Sequence, residues 1–121
     1  MIGEKRVTAQ FSSIFYALKK ELLMKENKFQ SNLIKELETR FPGAIVTKLD
    51  PNHIQGIPDL LILYKDKWAT LECKKSSNAT HRFNQDTYVE MMNDMSYSAF
   101  IYPENKEEVL NELQNKFESS L

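Results

Sequence analysis

A single cysteine, Cys73, rules out an intramolecular disulfide, and with only two histidines the chain cannot assemble a Cys/His zinc cluster. A reducing, intracellular setting is the expectation that follows. Neither sign of charge dominates: 16 Lys and Arg stand against 17 Asp and Glu, for a net charge of -1. Bulk charge therefore gives no argument for a polyanionic partner, and any nucleic-acid surface must be a local patch. No apolar run approaches the roughly 20 residues needed to span a bilayer, and the N-terminus lacks the short apolar core of a signal peptide. The expectation is a cytoplasmic protein with no membrane partner. Glycine is scarce too. Gly3, Gly43 and Gly56 are the only three, and all fall outside the periodic stretches.

What remains is the composition of one ordinary globular domain: 121 residues, 41% hydrophobic and 27% charged. From Val7 to Met24 the apolar residues Val7, Phe11, Ile14, Phe15, Leu18, Leu22 and Leu23 recur at helical spacing. Core packing is the expected use of that face, with a dimerisation arm as the alternative. A second helix is predicted over Lys28–Phe41, with Phe29, Leu33, Ile34, Leu37 and Phe41 buried and Pro42-Gly43 as the stop. The period then changes. Ala44–Lys48 reads as a short strand, and Asp59–Tyr64 and Lys67–Lys75 as a β-hairpin turning at Lys65-Asp66. Phe83–Met95 is predicted helical and Ser98–Tyr102 a strand. A last helix follows, capped by Asn105 with Glu108 three residues on, and Val109, Leu110, Leu113 and Phe117 face inward. This order predicts an α/β fold, one mixed sheet flanked by helices.

The hairpin carries the chemistry. Antiparallel pairing brings Asp59, at the start of one strand, beside Glu72, near the end of the other. Strand alternation puts Glu72 and Lys74 on one side, and Leu71 and Cys73 on the other, towards a buried layer. Hydrolysing a phosphodiester requires an activated water, in-line approach and neutralisation of charge on the phosphoryl oxygens. A divalent cation meets all three needs. Mg²⁺ takes one or two carboxylates plus waters and substrate phosphate, which makes Asp59 and Glu72 its expected pair, with the Cys73 backbone carbonyl as a third protein oxygen. Lys74 is then placed to orient water or stabilise the developing charge. Cys73 itself reads as a small buried side chain, since no histidine stands beside it to activate the thiol.

Pro58-Asp59, a gap of twelve residues, then Glu72-Cys73-Lys74 resembles the signature of the PD-(D/E)XK nuclease superfamily. Around it, Glu26-Asn-Lys-Phe-Gln30, Phe41-Pro-Gly43, Gly56-Ile-Pro-Asp-Leu-Leu, Leu71-Glu-Cys-Lys-Lys-Ser76 and Gln85 resemble its small VRR-NUC-type and Holliday junction resolvase-like branches, phage-encoded members among them. The likeness runs from Glu26 to Tyr102. It implies a restriction-endonuclease-like catalytic core over 26–103, preceded by a helical extension (1–25) and followed by a C-terminal helix (104–121). It also implies Mg²⁺ or Mn²⁺ dependence and hydrolysis of DNA. By position, Glu26 matches the acidic residue such nucleases carry on the first core helix, where it contacts the metal directly or through water, and Gln85 the polar residue after the catalytic strand, near metal or scissile phosphate. Glu26 has a second reading, as an ordinary first-turn helix acid.

Lys75, His81 and Arg82, together with Lys74, form the local basic concentration, expected to lie along a phosphate backbone, and Lys48 extends it. Surface solubilisation is the plainer account of the same charges. His53 is expected to face water, and Tyr64 and Trp68 to pack rather than stack on bases. The leading expectation is a structure-selective endodeoxyribonuclease acting on branched DNA, dimeric if it resolves four-way junctions, because symmetric cutting needs two sites. The alternatives are a non-catalytic nucleic-acid or protein-binding module that keeps the fold, and a nuclease for RNA or single strands.

Overall fold

A computed structural model describes residues 2–119, with side chains from residue 12 onward. The element order is α1 (Ile2–Arg40), β1 (Ile45–Lys48), β2 (Leu60–Tyr64), β3 (Lys67–Cys73), α2 (Phe83–Met95), β4 (Ser98–Ile101) and α3 (Lys106–Glu118). The four strands form one mixed sheet in the order β1-β2-β3-β4. β1, β2 and β3 pair antiparallel, and β4 lies parallel to β3 because α2 carries the chain back across the sheet. No helix among the described residues is long and apolar enough to cross a membrane.

The hairpin folds as its alternation requires. Leu60 pairs with Leu71 and Ile62 with Ala69, so these four buried residues share one face with Cys73 and Ile101. α1 supplies Leu33, Leu37 and Phe41 to that face, and α3 supplies Val109, Leu110, Leu113 and Phe117, closing a single core cluster. Each fully buried leucine contributes about 1.5–3 kcal/mol. Arg40 seals the seam between the two helices by donating to Gln114 (2.9 Å) and Asn111 (2.7 Å). The Tyr64 ring packs between Phe41 and Phe117 at 5.5 and 5.4 Å.

The opposite face differs in kind. Thr70, Glu72, Lys74 and Ser98, the buried polar residues among those described, all project from it towards α2. Thr70 and Ser98 satisfy each other at 2.8 Å. One side of the sheet thus holds the core, and the other holds buried polar groups.

Three expectations need correction. The two N-terminal helices are one, 39 residues long, because Lys25-Glu26-Asn27 contains neither glycine nor proline and nothing stops the first from running into the second. The apolar stripe of its first half is not core: Ile14, Leu18, Leu22 and Leu23 are 58%, 50%, 39% and 58% exposed. Val7 and Phe11 lie outside the described side chains. Asn105 does not cap α3 with its side chain; instead it accepts from the Tyr102 N–H (2.9 Å) and donates to the Phe100 carbonyl (3.0 Å), bracing the turn after β4.

Candidate functional site

Asp59 sits one step before β2, held by its own backbone: the Leu49 N–H donates to its carbonyl at 2.8 Å. That step continues the Leu60–Leu71 pairing, so Asp59 stands opposite Glu72 and on the same face. Asp59 Oδ2 accepts the Cys73 N–H at 2.8 Å, which locks the carboxylate against β3. Along a strand, N–H and C=O of one residue point the same way. The Cys73 carbonyl therefore also points to the Asp59 side, beyond the end of β2.

Glu72 is 2% exposed, and its Oε2 is buried with no hydrogen-bond partner. Burial, then the neighbouring Asp59 carboxyl, push its carboxyl up to about 9, against the pull of Lys74. At neutral pH and without a cation, the Glu72 carboxyl is therefore held protonated.

Gln85, on the first turn of α2, joins the remaining parts. Its Oε1 accepts from Lys74 Nζ (2.7 Å) and from the Arg82 N–H (3.0 Å), while its Nε2 donates to Glu72 Oε1 (3.3 Å). Lys74 Nζ also donates to the Thr80 carbonyl at 3.2 Å. Thr80 has no sequence signal, because it contributes only backbone.

Glu26 reaches the same place from α1. It lies mid-helix, so the first-turn reading is wrong. Burial and then Asp59 raise its carboxyl, opposed by Lys74, Lys75 and Arg82. Those opposing charges put Glu26, Lys75 and Arg82 in one electrostatic neighbourhood with Asp59. Cys73 faces away, towards Gln30 on α1; burial raises its thiol well above the ordinary range, so it stays protonated and unreactive.

The rest of the basic group is engaged elsewhere or turned away. The His81 ring stacks on Phe100 (3.9 Å between centroids) and pairs with Asp86 at 2.9 Å. Lys48 pairs with Leu60 and by register shares the α1 face, away from Glu72. Lys75 and Arg82 are the cations left beside the carboxylates. His53 is exposed.

Next to Asp59 opens a cleft of about 520 Å³, walled by the loop before β2 (Asn52, Gln55, Gly56) and the start of α2 (Arg82, Asn84). Sequence periodicity had no means of finding it, since that loop is aperiodic. Among the described residues no three His, Cys, Asp or Glu side chains converge as ligands. Glu26 is thus not a third carboxylate of one cluster. Two carboxylates, one with an orphaned buried oxygen, and a carbonyl directed to the same side do fit a hard cation that keeps its waters.

No protein-family model, curated protein or solved structure matches the chain.

Proposed function

We propose that this chain is a Mg²⁺- or Mn²⁺-dependent endodeoxyribonuclease of the PD-(D/E)XK kind, acting on branched DNA. The observation that carries the reading is Glu72: a carboxylate buried in a sheet, with one oxygen unpartnered, beside a second carboxylate. A protein gains nothing in stability from such a group, because an unpaired buried acid costs free energy. Sites that bind and react are where that cost is tolerated.

The proposed roles follow from position. Asp59 and Glu72 hold the cation, with the Cys73 carbonyl as a third oxygen and Glu26 acting on it through space or water. When bound, the cation lowers the pKa of water and neutralises charge on the phosphoryl oxygens. Lys74 has three ammonium donors, and Thr80 and Gln85 take two of them. The third is free to serve a phosphate oxygen. Gln85 orients both Lys74 and Glu72. Lys75 and Arg82 contact the flanking backbone, where two cations give modest, salt-sensitive affinity suited to a substrate chosen by shape.

The functional unit is proposed to be a homodimer, since symmetric cuts in a junction need two sites, and the exposed stripe of α1 supports a partner copy. The test is cleavage of four-way, flapped, duplex and single-stranded DNA with Mg²⁺ or Mn²⁺, wild type against Asp59→Ala. Metal-dependent cutting lost in the variant supports the reading. Salt-dependent binding with no cutting of any form would point instead to a non-catalytic module.

A further inference from the structure

Phe83 is the most exposed large hydrophobic side chain among the described residues, at 86%, and it stands on the wall of the cleft beside Asp59. We propose that its ring is a stacking platform for one unpaired nucleobase held next to the scissile phosphate, an inference that rests on the nuclease reading above.

Three observations lead there. The first is the chemistry of the cleft. Asn52, Gln55 and Asn84 offer amide donors and acceptors, Arg82 a cation and Phe83 an aromatic face. Amides read the hydrogen-bonding edge of a base, a guanidinium takes phosphate, and a phenyl ring accepts the base's π-face. Together these groups match a nucleotide better than a peptide or a lipid.

The second is rigidity. Gly56 has φ +89, and a Cβ placed on it would lie 2.4 Å from Asn84 Cβ and 2.8 Å from the Asn84 carbonyl carbon. The loop backbone is therefore pressed against the first turn of α2, and the two walls are fixed relative to each other. A preformed cleft loses little entropy on filling.

The third is registration with the reacting groups. Phe83 is bracketed by Arg82 and Gln85, which are tied by two hydrogen bonds of 3.0 Å, and Gln85 touches both Lys74 and Glu72. A base on Phe83 is held at a set distance from the carboxylates. In intact duplex both faces of a base are already stacked, so only an unpaired or flipped nucleotide can use the ring. Phe83 would thus select for strand ends, flaps and junction centres.

The experiment compares wild type, Phe83→Ala and Phe83→Trp in EDTA, where no cutting occurs. The probes are single-stranded, flapped and blunt duplex oligonucleotides carrying 2-aminopurine, read by anisotropy and by emission. Phe83→Ala is expected to bind the single-stranded and flapped probes roughly tenfold or more weakly, to relieve quenching of the unpaired 2-aminopurine, and to bind blunt duplex unchanged; Phe83→Trp is expected to retain wild-type behaviour. Its exposure makes the alanine variant safe for folding, and equal melting temperatures check this. If Phe83→Ala binds every probe as wild type does, or weakens equally on blunt duplex, the stacking role is overturned, while Mg²⁺-dependent cutting by wild type leaves the nuclease reading standing. If wild type neither binds nor cuts any nucleic acid, that reading falls and the platform with it.

Discussion

Lys74 and Gln85 are joined by a 2.7 Å hydrogen bond in which the ammonium donates to the amide oxygen, and the same amide donates to Glu72. One neutral side chain from α2 therefore sets the spacing between a carboxylate on β3 and a cation on the residue just past its end. Gln85→Ala should release Lys74 and leave Glu72 Oε1 without its donor. Such supporting contacts are typically worth 10–100-fold in activity. The expected outcome is a fall of that order in single-turnover cleavage rate, with DNA affinity nearly unchanged and the fold intact by circular dichroism. A variant that loses affinity and keeps its rate would place Gln85 in binding instead.

The raised carboxyl of Glu72 makes stability depend on pH with a definite sign. In the unfolded chain the group ionises near 4.5; in the fold it holds its proton up to about 9. Below pH 4.5 both states are protonated and no penalty applies. Between those values the folded state binds the extra proton, so stability falls as pH rises, by at most about 1.4 kcal/mol per unit, and levels off above pH 9. Glu26 is shifted in the same direction and adds to the slope. Urea titrations in EDTA from pH 5 to 9 should show wild type losing more stability than Glu72→Gln. Mn²⁺ should stabilise wild type increasingly towards high pH and the variant far less. Parallel curves for the two proteins would remove Glu72 from the proposed cation site.

Much of this arrangement is legible in the chain because strand alternation is unforgiving. Once Leu60, Ile62, Ala69 and Leu71 are assigned to the core, Glu72 and Lys74 have only the other face to occupy. Helical periodicity is less informative, since it reports which face is apolar and not what that face meets. Leu33 and Leu37 meet the sheet; Leu18 and Leu22, on the same stripe, project beyond it. The cleft was hidden for another reason. It depends on Gly56 touching Asn84, a contact between residues 28 apart, and on Phe83, whose place at the head of a helix says nothing of what its ring faces.

The two described left-handed glycines offer a matched pair. Gly43 (φ +90) has nothing within 4 Å of an added Cβ, whereas Gly56 (φ +89) has Asn84 backbone at 2.8 Å. Gly43→Ala should lose only the conformational term, about 1–3 kcal/mol. Gly56→Ala should lose that and more, because the neighbour is backbone and cannot swing aside. It should also open the cleft and lower cleavage beyond its effect on stability. Chemical denaturation of both variants, with activity measured well below their melting temperatures, makes the comparison. Equal losses would mean that the Gly56–Asn84 contact does not hold the cleft.

The exposed half of α1 has an expected consequence in solution. At 100° per residue, Ile14, Leu18 and Leu22 lie on the stripe that continues through Phe29, Leu33 and Leu37. Leu33 and Leu37 are buried and Phe29 is partly buried against the core, whereas the earlier three are left 58%, 50% and 39% exposed. An apolar stripe on a straight helix complements a copy of itself across a two-fold axis, which closes the assembly at two subunits. Leu18→Asp combined with Leu22→Asp would set four carboxylates in that interface while touching nothing in the core. Light scattering should then report twice the 14.2 kDa chain mass for wild type and the single mass for the double variant. The monomer should keep its Mn²⁺-induced stabilisation, because the carboxylates all come from one chain, and should lose paired cutting of a four-way junction. Wild type that stays monomeric at high micromolar concentration would show that α1 does not join two copies.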